Sequence, residues 1–546
     1  MVWLNKIKTW IRVNRLETIL LVAILLTGAY MRLYRISEYM TFLGDEGRDA
    51  IVVRRLLVDF DPILVGPGTS IGNMYLGPLY YYMMAPALLL ANFSPVGPAI
   101  MIALLGIATI FFVWVVVREW FPTSPRLRGT SPFSINFGAL FAAGLYAVSP
   151  VVIIYSRSSW NPNIMPFFSL LTIYSIWKWS SFVPKKDAKV RSHLKWLIIT
   201  GISMAFVLQS HYLGLLLIPT IVFFWLLANL KFENWKLNDK WKMENGKFLR
   251  YSLIGLIFFA GLMSPLVLFD ARHGWRNFSA IKTFFLARQT TVSARPWTSL
   301  PKLPEITTQV VTRLITGTND STGKLLTVVF GGALLLLALS KIKNIKKDKF
   351  WEFLLSPATL IFIWTFSALV GFGVYKQHIY DHYFGVIFAA PFIIIGGLSQ
   401  FFIRKYKFAG TIFVFLIACY LLLINIQNSP LKGPPNRQLQ RTEEVANKII
   451  DKAGGVKFNL AVLAERNYEG AYQYFLERWN APFIMIDPQR ADDTIAEQLF
   501  VVCELAKENC DPTHSPKAEV ANFGWSKVED EWQVAGVIVF KLSHVQ

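Results

Sequence analysis

The chain has 546 residues, of which 54% are hydrophobic, 15% aromatic and only 16% charged. A soluble protein carries roughly a quarter of its residues as charged ones, so this composition and a mean hydropathy of +0.41 exclude a soluble globule. Abundant aliphatic and aromatic residues without low-complexity runs exclude a disordered or fibrous chain. The net charge of +20 lies mostly in short loops between apolar runs, which indicates a multi-pass membrane protein rather than a nucleic-acid-binding one.

Apolar stretches of about 17 to 22 residues recur along the first 426 positions and are long enough to cross a membrane as helices. The predicted spans are 16–36, 96–117, 134–155, 162–180, 195–210, 212–230, 251–269, 323–340, 354–375, 383–401 and 409–426. A further candidate, 76–92, is short and interrupted by Pro78 and Pro86. The first span lacks the cleavage site of a signal peptide, so we expect it to be retained.

The distribution of Lys and Arg predicts the orientation of the chain. The N-terminus and the loops 118–133, 185–195, 231–250, 341–349 and 404–407 are basic, which predicts that they are cytoplasmic. The remaining loops then face outward, including the long loops 37–75 and 270–322. Eleven crossings satisfy every basic loop if 76–92 is re-entrant or interfacial. Alternatively, 76–92 crosses the membrane and a short loop such as 118–133 lies on the other side from the one its charge predicts. We therefore expect about eleven to thirteen transmembrane helices.

The composition changes after residue 427. Segment 428–440 contains three prolines and a glycine and is predicted to be a linker. From 441 to 546, strand-length apolar runs at 458–464, 481–486, 499–504 and 537–542 are combined with amphipathic helical stretches. This alternation predicts a small extracytoplasmic α/β domain. Cys503 and Cys510 either form a disulfide there or remain two buried thiols.

The densest polar cluster follows the first span, in the sequence GDEGRDA. Asp45, Glu46, Arg48 and Asp49 lie within five positions, and Asp45 and Asp49 share one face if a helix begins here. A partly desolvated carboxylate close to other acids can act as a general base. The alternative is that these acids only stabilise the start of a helix.

Other polar residues collect at the outward ends of the predicted spans, whereas the centres of the spans are almost free of ionisable groups. The basic and amide residues at these ends are Arg157, Asn161, His211, Arg272, His273, Lys376 and His382. Each one alone is most often an interfacial anchor or a helix cap. Together they suit a phosphate or diphosphate head group. At least two of the tyrosines Tyr80, Tyr81 and Tyr82 are expected to belong to an aromatic belt. The alternative is that they bind an isoprenoid or a sugar.

The chain resembles the glycosyltransferases of the GT-C fold, in particular the bacterial branch with protein O-mannosyltransferases, aminoarabinose transferases of lipid A and lipopolysaccharide core transferases. The resemblance covers roughly residues 10 to 430. It depends on the acidic motif GDEGRDA, on the GPLYYY segment about thirty residues later, and on the segment from Arg157 to Pro162, with HYFGVIFAAPF at 382–392 as a weaker match.

This resemblance implies a sugar donor linked to polyprenyl phosphate and an inverting transfer to an acceptor hydroxyl. Asp45 matches the family's catalytic acid and Glu46 its neighbour. Arg48 and the seven outward residues named above are then the candidates for binding the donor phosphate and sugar. Two departures bear on that site: Gly77-Pro78 stands where relatives often have Lys-Pro or His-Pro, and Asn161 stands where many carry Asp. A second carboxylate, if one is needed, is Glu46, Asp49 or Asp270. We expect no cofactor and no metal.

The leading hypothesis is therefore a multi-pass glycosyltransferase of the bacterial plasma membrane, with its N-terminus in the cytoplasm and its C-terminal domain outside. Its expected partners are a polyprenyl-phosphate sugar, membrane lipids and a lipid, glycan or protein acceptor, and not nucleic acid. A ligase or polymerase for surface polysaccharide is the second hypothesis. A lipid flippase or solute transporter is the third, and it would need polar residues deep in the spans, of which the sequence has few.

Overall fold

The computed structural model describes residues 2–69, 74–123, 135–180, 191–234, 245–286, 292–293, 295–343 and 350–545. Large parts of the predicted cytoplasmic loops 118–133, 185–195, 231–250 and 341–349 lie outside these residues. The orientation derived from their charges therefore stays a prediction.

Helices make up most of the described chain up to residue 427. The first eleven are α1 (Val2–Val13), α2 (Arg15–Leu33), α3 (Ile36–Tyr39), α4 (Gly44–Val58), α5 (Leu79–Leu90), α6 (Val96–Trp120), α7 (Phe137–Val148), α8 (Pro150–Tyr155), α9 (Met165–Ser180), α10 (Arg191–Ser210) and α11 (Ile218–Asn234). They are followed by α12 (Asn245–Arg272), α13 (Arg276–Leu286), α14 (Leu303–Leu314), α15 (Asp320–Lys343), α16 (Phe350–Leu354), α17 (Pro357–Val374) and α18 (Ala389–Gln427).

Six helical segments are long and apolar enough to cross a membrane. They are Arg15–Leu33, Val96–Trp120, Tyr212–Leu230, Lys247–Arg272, Pro357–Val374 and Ala389–Gln427. The predicted class, a polytopic α-helical membrane protein with a small α/β domain, is confirmed. The number of crossings stays a prediction, because several other apolar helices are shorter. At 12 residues, α5 rises only about 18 Å, less than the roughly 30 Å of a hydrocarbon core, which favours a segment 76–92 that does not cross.

Two predicted spans are shaped by local backbone geometry. The span 134–155 is divided into α7 and α8 at Ser149, because Pro150 cannot donate the backbone hydrogen bond that would continue α7. The spans 383–401 and 409–426 belong largely to α18, which is kinked at Lys407 with φ 45° and ψ −117°. The kink allows the two halves to run as separate segments.

The C-terminal domain contains α19 (Gln438–Ala453), β1 (Phe458–Leu463), α20 (Gly470–Arg478), α21 (Ala491–Thr494), β2 (Gln498–Cys503), α22 (Ala518–Phe523), β3 (Ser526–Val534) and β4 (Val537–His544). Its sheet has the order β1-β2-β4-β3, with β1 and β2 parallel and the other neighbours antiparallel. The alternation of helix and strand therefore predicted the fold of this domain. Cys503 and Cys510 form the disulfide that was one of the two alternatives.

Two strand assignments differ from the sequence-based prediction. The segment 481–486 is not a strand of the sheet. Its backbone pairs with β1 at an isolated bridge between Phe483 and Phe458, and the pairing does not extend because Pro482 has no N–H to donate. The strand β3 has no counterpart in the prediction. Its sequence SKVEDEWQV is exposed at most positions, so it lacks the apolar signal of a buried strand.

The C-terminal domain and the membrane region share one hydrophobic core. Side chains of β1 alternate between the two faces of the sheet, so that Leu460 and Val462 face α19 and α20 while Ala461 and Leu463 face α22. The first of these faces continues without interruption into α3, α4, α5 and α6. The domain is thereby fixed against the side of the membrane region that carries α4, which we call the domain side.

Candidate active site

The acidic motif forms about the first two turns of α4. The backbone N–H of Leu43 donates to Oε2 of Glu46 at 3.0 Å, which is the helix-capping arrangement of a glutamate in the third helical position. Glu46 is 6% exposed, and burial raises its pKa to about 7, with neighbouring Asp45 and Asp49 adding to the shift and backbone hydrogen bonds opposing it. Glu46 therefore fits the alternative in which the acids of the motif stabilise the start of a helix.

Asp45 differs from its neighbours because its side chain is 41% exposed. Its Oδ1 accepts two hydrogen bonds, from Nη1 of Arg48 at 2.8 Å and from the hydroxyl of Tyr468 at 2.7 Å. Among the described residues, its Oδ2 has no hydrogen-bond partner. One oxygen of Asp45 is thus held in place, and the other can accept a proton.

Asp49 is completely buried behind Asp45. Its Oδ1 accepts from Nη2 of Arg48 at 2.8 Å and from the hydroxyl of Tyr81 at 2.9 Å, whereas its Oδ2 is buried without a partner. Burial raises the pKa of Asp49, and the charge of Arg48 opposes this shift. Arg48 bridges the two aspartates, so its guanidinium is already engaged and acts mainly by fixing Asp45.

The tyrosines of α5 anchor this site rather than lining a membrane surface. Tyr80 and Tyr81 are buried, and Tyr80 shares a 2.6 Å hydrogen bond with Ser159. The exposed Tyr82 donates to the carbonyl of Ile63 at 2.8 Å. The expectation that at least two of the three form an aromatic belt is therefore wrong. Each of the three hydroxyls has a specific partner within the protein.

Two of the predicted donor-binding residues instead donate hydrogen bonds to backbone carbonyls of the protein. Arg157 is buried, and its Nη1 and Nη2 donate to the carbonyls of Met31 and Tyr34, each at 2.7 Å. These carbonyls belong to the end of α2, where backbone acceptors lack helical partners. Asn161 is buried and donates to the carbonyl of Ser210 at 2.7 Å. Both residues position the segment between α8 and α9.

His211 and His382 lie together in an aromatic group on the domain side. Their ring centroids are 6.1 Å apart, and Trp160 contacts His382 edge-on at 4.7 Å while Tyr383 lies 5.2 Å from His211. Burial lowers the pKa of His211 to about 3 and that of His382 to about 4. At neutral pH they are uncharged, so they offer hydrogen bonds and aromatic surface instead of positive charge.

The other predicted cations, Arg272, His273 and Lys376, are exposed. His273 stacks on Phe269 with ring centroids 4.1 Å apart. Asp270, considered above as a second catalytic carboxylate, instead caps α13, because its two oxygens accept from the backbone N–H groups of Asn277 at 2.7 Å and Phe278 at 2.9 Å.

A chain of contacts links these basic residues to the acidic motif. The ring of Tyr75 lies 5.9 Å from that of Phe269, and its backbone N–H donates to Asn277 at 2.8 Å. Residues 75–78 lead directly into α5, whose Tyr81 contacts Asp49. The acidic motif and the basic residues at the end of α12 are therefore placed on the same side of the membrane region.

Sequence reasoning missed two contributors. Tyr468 was not singled out, although its loop follows the carboxyl end of β1, which pairs in parallel with β2; such ends commonly carry functional loops. Arg313 forms a two-bond ion pair with Asp381, beside His382. No cluster of three or more His, Cys, Asp or Glu residues suited to a metal occurs in the described ranges.

Comparisons with known proteins support the resemblance. The family model for dolichyl-phosphate-mannose-protein mannosyltransferases matches residues 131–270. The crystal structure of ArnT from Cupriavidus metallidurans bound to undecaprenyl phosphate is 14% identical, covers 96% of this chain and 97% of its own, and has a TM-score of 0.56. The apo form of that protein gives the same coverages and TM-score at 13% identity.

A weaker likeness is found to the archaeal oligosaccharyltransferase AglB from Archaeoglobus fulgidus, at 13% identity, 90% and 70% coverage and a TM-score of 0.48. No curated protein matches the chain in sequence. The resemblance predicted from the sequence is confirmed: over nearly its whole length the chain has the GT-C fold of ArnT, and part of its membrane region matches the mannosyltransferase family model.

Proposed function

We propose that this multi-pass membrane protein is a glycosyltransferase that moves a sugar from a polyprenyl-phosphate donor to an acceptor hydroxyl. The observation that carries the proposal is the state of Asp45 at the junction of the membrane region and the C-terminal domain. Its Oδ1 is held by two donors, and its Oδ2 has no hydrogen-bond partner in the described part of the chain. The fold shared with a protein whose structure contains undecaprenyl phosphate supports the class of donor, as does the mannosyltransferase family model.

In the proposed reaction Oδ2 of Asp45 accepts the proton of the acceptor hydroxyl. The acceptor oxygen forms a bond to the anomeric carbon, and the bond from that carbon to the phosphate oxygen breaks with inversion. The polyprenyl phosphate leaves with the negative charge that develops on its oxygen, which positive groups must stabilise.

We assign that charge stabilisation to Arg272 and Lys376, because both are exposed. His211 and His382, uncharged at neutral pH, are assigned to the sugar together with the ring of Trp160, since aromatic faces and neutral hydrogen-bonding groups suit a sugar ring. Arg48, Arg157 and Asn161 support the site through their protein contacts. Glu46 completes the helix start that orients Asp45.

We further propose that the domain side is extracytoplasmic and that the membrane is the bacterial plasma membrane. The basic helix α1 precedes α2, whose opposite end leads to α3 and α4, and positive segments favour the cytoplasm. The Cys503–Cys510 disulfide belongs to a type of bond that persists outside the reducing cytosol. The acceptor would be a lipid, glycan or protein hydroxyl reaching this side.

The test uses purified full-length protein in lipid, radiolabelled undecaprenyl-phosphate sugars and a membrane extract as the acceptor pool. We expect transfer by the wild type and its loss in Asp45→Asn, which keeps the shape of the side chain but cannot take the proton. Asp451→Asn is a matched control, because that aspartate lies on α19 next to Lys452. Full activity of Asp45→Asn, or no transfer from any donor by the wild type, would contradict the proposal.

A further inference from the structure

The C-terminal domain reaches the proposed base directly through Tyr468. Its hydroxyl donates to Oδ1 of Asp45 at 2.7 Å and lies 3.3 Å from Nη1 of Arg48, which donates to the same oxygen. We propose, resting on the function proposed above, that the domain completes the catalytic site and that Tyr468 is the positioning residue that turns Oδ2 of Asp45 toward the acceptor.

The position of Tyr468 is set by the domain and by the start of α4 together. Oδ1 of Asn467 accepts from the backbone N–H groups of Gly44 and Tyr468, each at 2.9 Å. Nδ2 of Asn467 donates to Oε1 of Glu504 at 2.6 Å, and Glu504 follows β2 directly. The loop is thereby tied at one end to the sheet and at the other to the first residue of α4.

The contact also requires a glycine in the motif. A Cβ on Gly44 would lie 2.4 Å from the ring of Tyr468, closer than side chains approach each other. Only a residue without a side chain lets the ring lie across the helix start. Gly44 of the acidic motif therefore serves the domain contact.

In the ranges that the structure describes, four ionisable groups surround the carboxylate of Asp45. Arg48, Glu46 and Asp49 belong to its own helix, and Tyr468 is the group that faces it from the domain. Burial raises the pKa of Tyr468, with the charge of Arg48 opposing the shift, so its hydroxyl remains protonated and donates over the whole working pH range.

Two consequences follow for catalysis. Loss of the hydroxyl leaves Oδ1 of Asp45 with Nη1 of Arg48 as its remaining donor, so the carboxylate is held less firmly. Misplacement of a reacting group by about 1 Å can cost roughly 100-fold in rate. The donor site is untouched, so the KM for the donor stays unchanged.

The test compares Tyr468→Phe with Tyr474→Phe in the full-length protein. Tyr474 lies on α20, and its hydroxyl donates to the carbonyl of Phe93 in the membrane region. Tyr474→Phe therefore also removes one hydroxyl from the contact between the domain and the membrane region, but not one that bonds to the acidic motif. We expect Tyr468→Phe to lower kcat about 10- to 100-fold and to keep the donor KM. Tyr474→Phe should keep the wild-type kcat and donor KM.

The outcomes separate this inference from the proposed function. If Asp45→Asn is inactive but Tyr468→Phe matches Tyr474→Phe in kcat and donor KM, the positioning role is wrong and the base assignment stands. If Asp45→Asn is fully active, the proposed base itself fails. Should Tyr468→Phe not purify as a folded protein, Asn467→Ala frees the same loop with the hydroxyl intact, and an unchanged kcat there would overturn the inference.

Discussion

Replacing Gly47 by Ala should separate the C-terminal domain from the membrane region. Gly47 and Gly470 lie where α4 and α20 cross, and a Cβ on Gly47 would stand 2.3 Å from the backbone N of Ala471 and from C and O of Gly470. Backbone atoms cannot rotate away as a flexible side chain can. Because an ordinary contact needs about 3.4 Å or more, the helices would have to part by roughly 1 Å.

The expected cost follows from two opposing effects. Overpacking of a well-packed site costs about 1–3 kcal/mol, and a clash with backbone falls at the upper end of that range. Alanine gains about 0.5–1 kcal/mol over glycine inside a helix. The net destabilisation of the docked arrangement is then about 2 kcal/mol, which is a factor of roughly 30 in its equilibrium.

Thermal unfolding and limited proteolysis in detergent measure this effect. Gly261→Ala is the matched control, since Gly261 lies inside α12 and a Cβ there would meet nothing within 4 Å. We expect Gly47→Ala to unfold at lower temperature, to be cleaved faster between 428 and 438, and to lose transfer activity, with Gly261→Ala equal to or more stable than the wild type. Equal stability of the two variants would refute the reasoning.

Two further predictions concern groups near the site and in the domain. Because burial raises the pKa of Glu46 from 4.5 to about 7, the folded protein holds this proton more tightly than the unfolded one; stability is therefore lost as pH rises from about 4.5 to 7. Glu46→Gln keeps an acceptor for the backbone N–H of Leu43 and should remove this part of the pH dependence, on the order of 3 kcal/mol. The measurement is the free energy of unfolding across that pH range. An unchanged dependence of that free energy on pH would contradict the burial argument. Reducing the Cys503–Cys510 disulfide, which closes a short loop, should cost roughly 2–3 kcal/mol, and a thermal midpoint unaffected by reductant would show that the loop is fixed by other contacts.

The sequence predicted the features whose signal is local. Apolar stretches of membrane-spanning length marked most helices, and alternating helix and strand patterns marked the C-terminal domain. The acidic motif stood out because Asp45, Glu46 and Asp49 follow each other within five residues. Periodicity and composition are sufficient for features of this kind.

Other features depend on partners far away in the chain, and no local pattern reports them. Tyr468 meets Asp45 across 423 positions. Arg157 is a residue type that commonly binds anions, yet its guanidinium donates to backbone carbonyls at the end of α2. A basic residue at a helix end predicts an acceptor nearby, but the sequence does not say whether that acceptor is a ligand or the protein itself.

The core shared by the C-terminal domain and helices α3 to α6 has a consequence for biogenesis. Residues 438–545 are synthesised only after about 380 further residues have followed the end of α4 at Val58. Synthesis proceeds at roughly 5–20 residues per second, so α4 and α5 precede the domain that covers their apolar surfaces by on the order of 20–80 s. During that interval the nascent chain exposes this apolar surface, and such exposure makes a folding intermediate prone to aggregate.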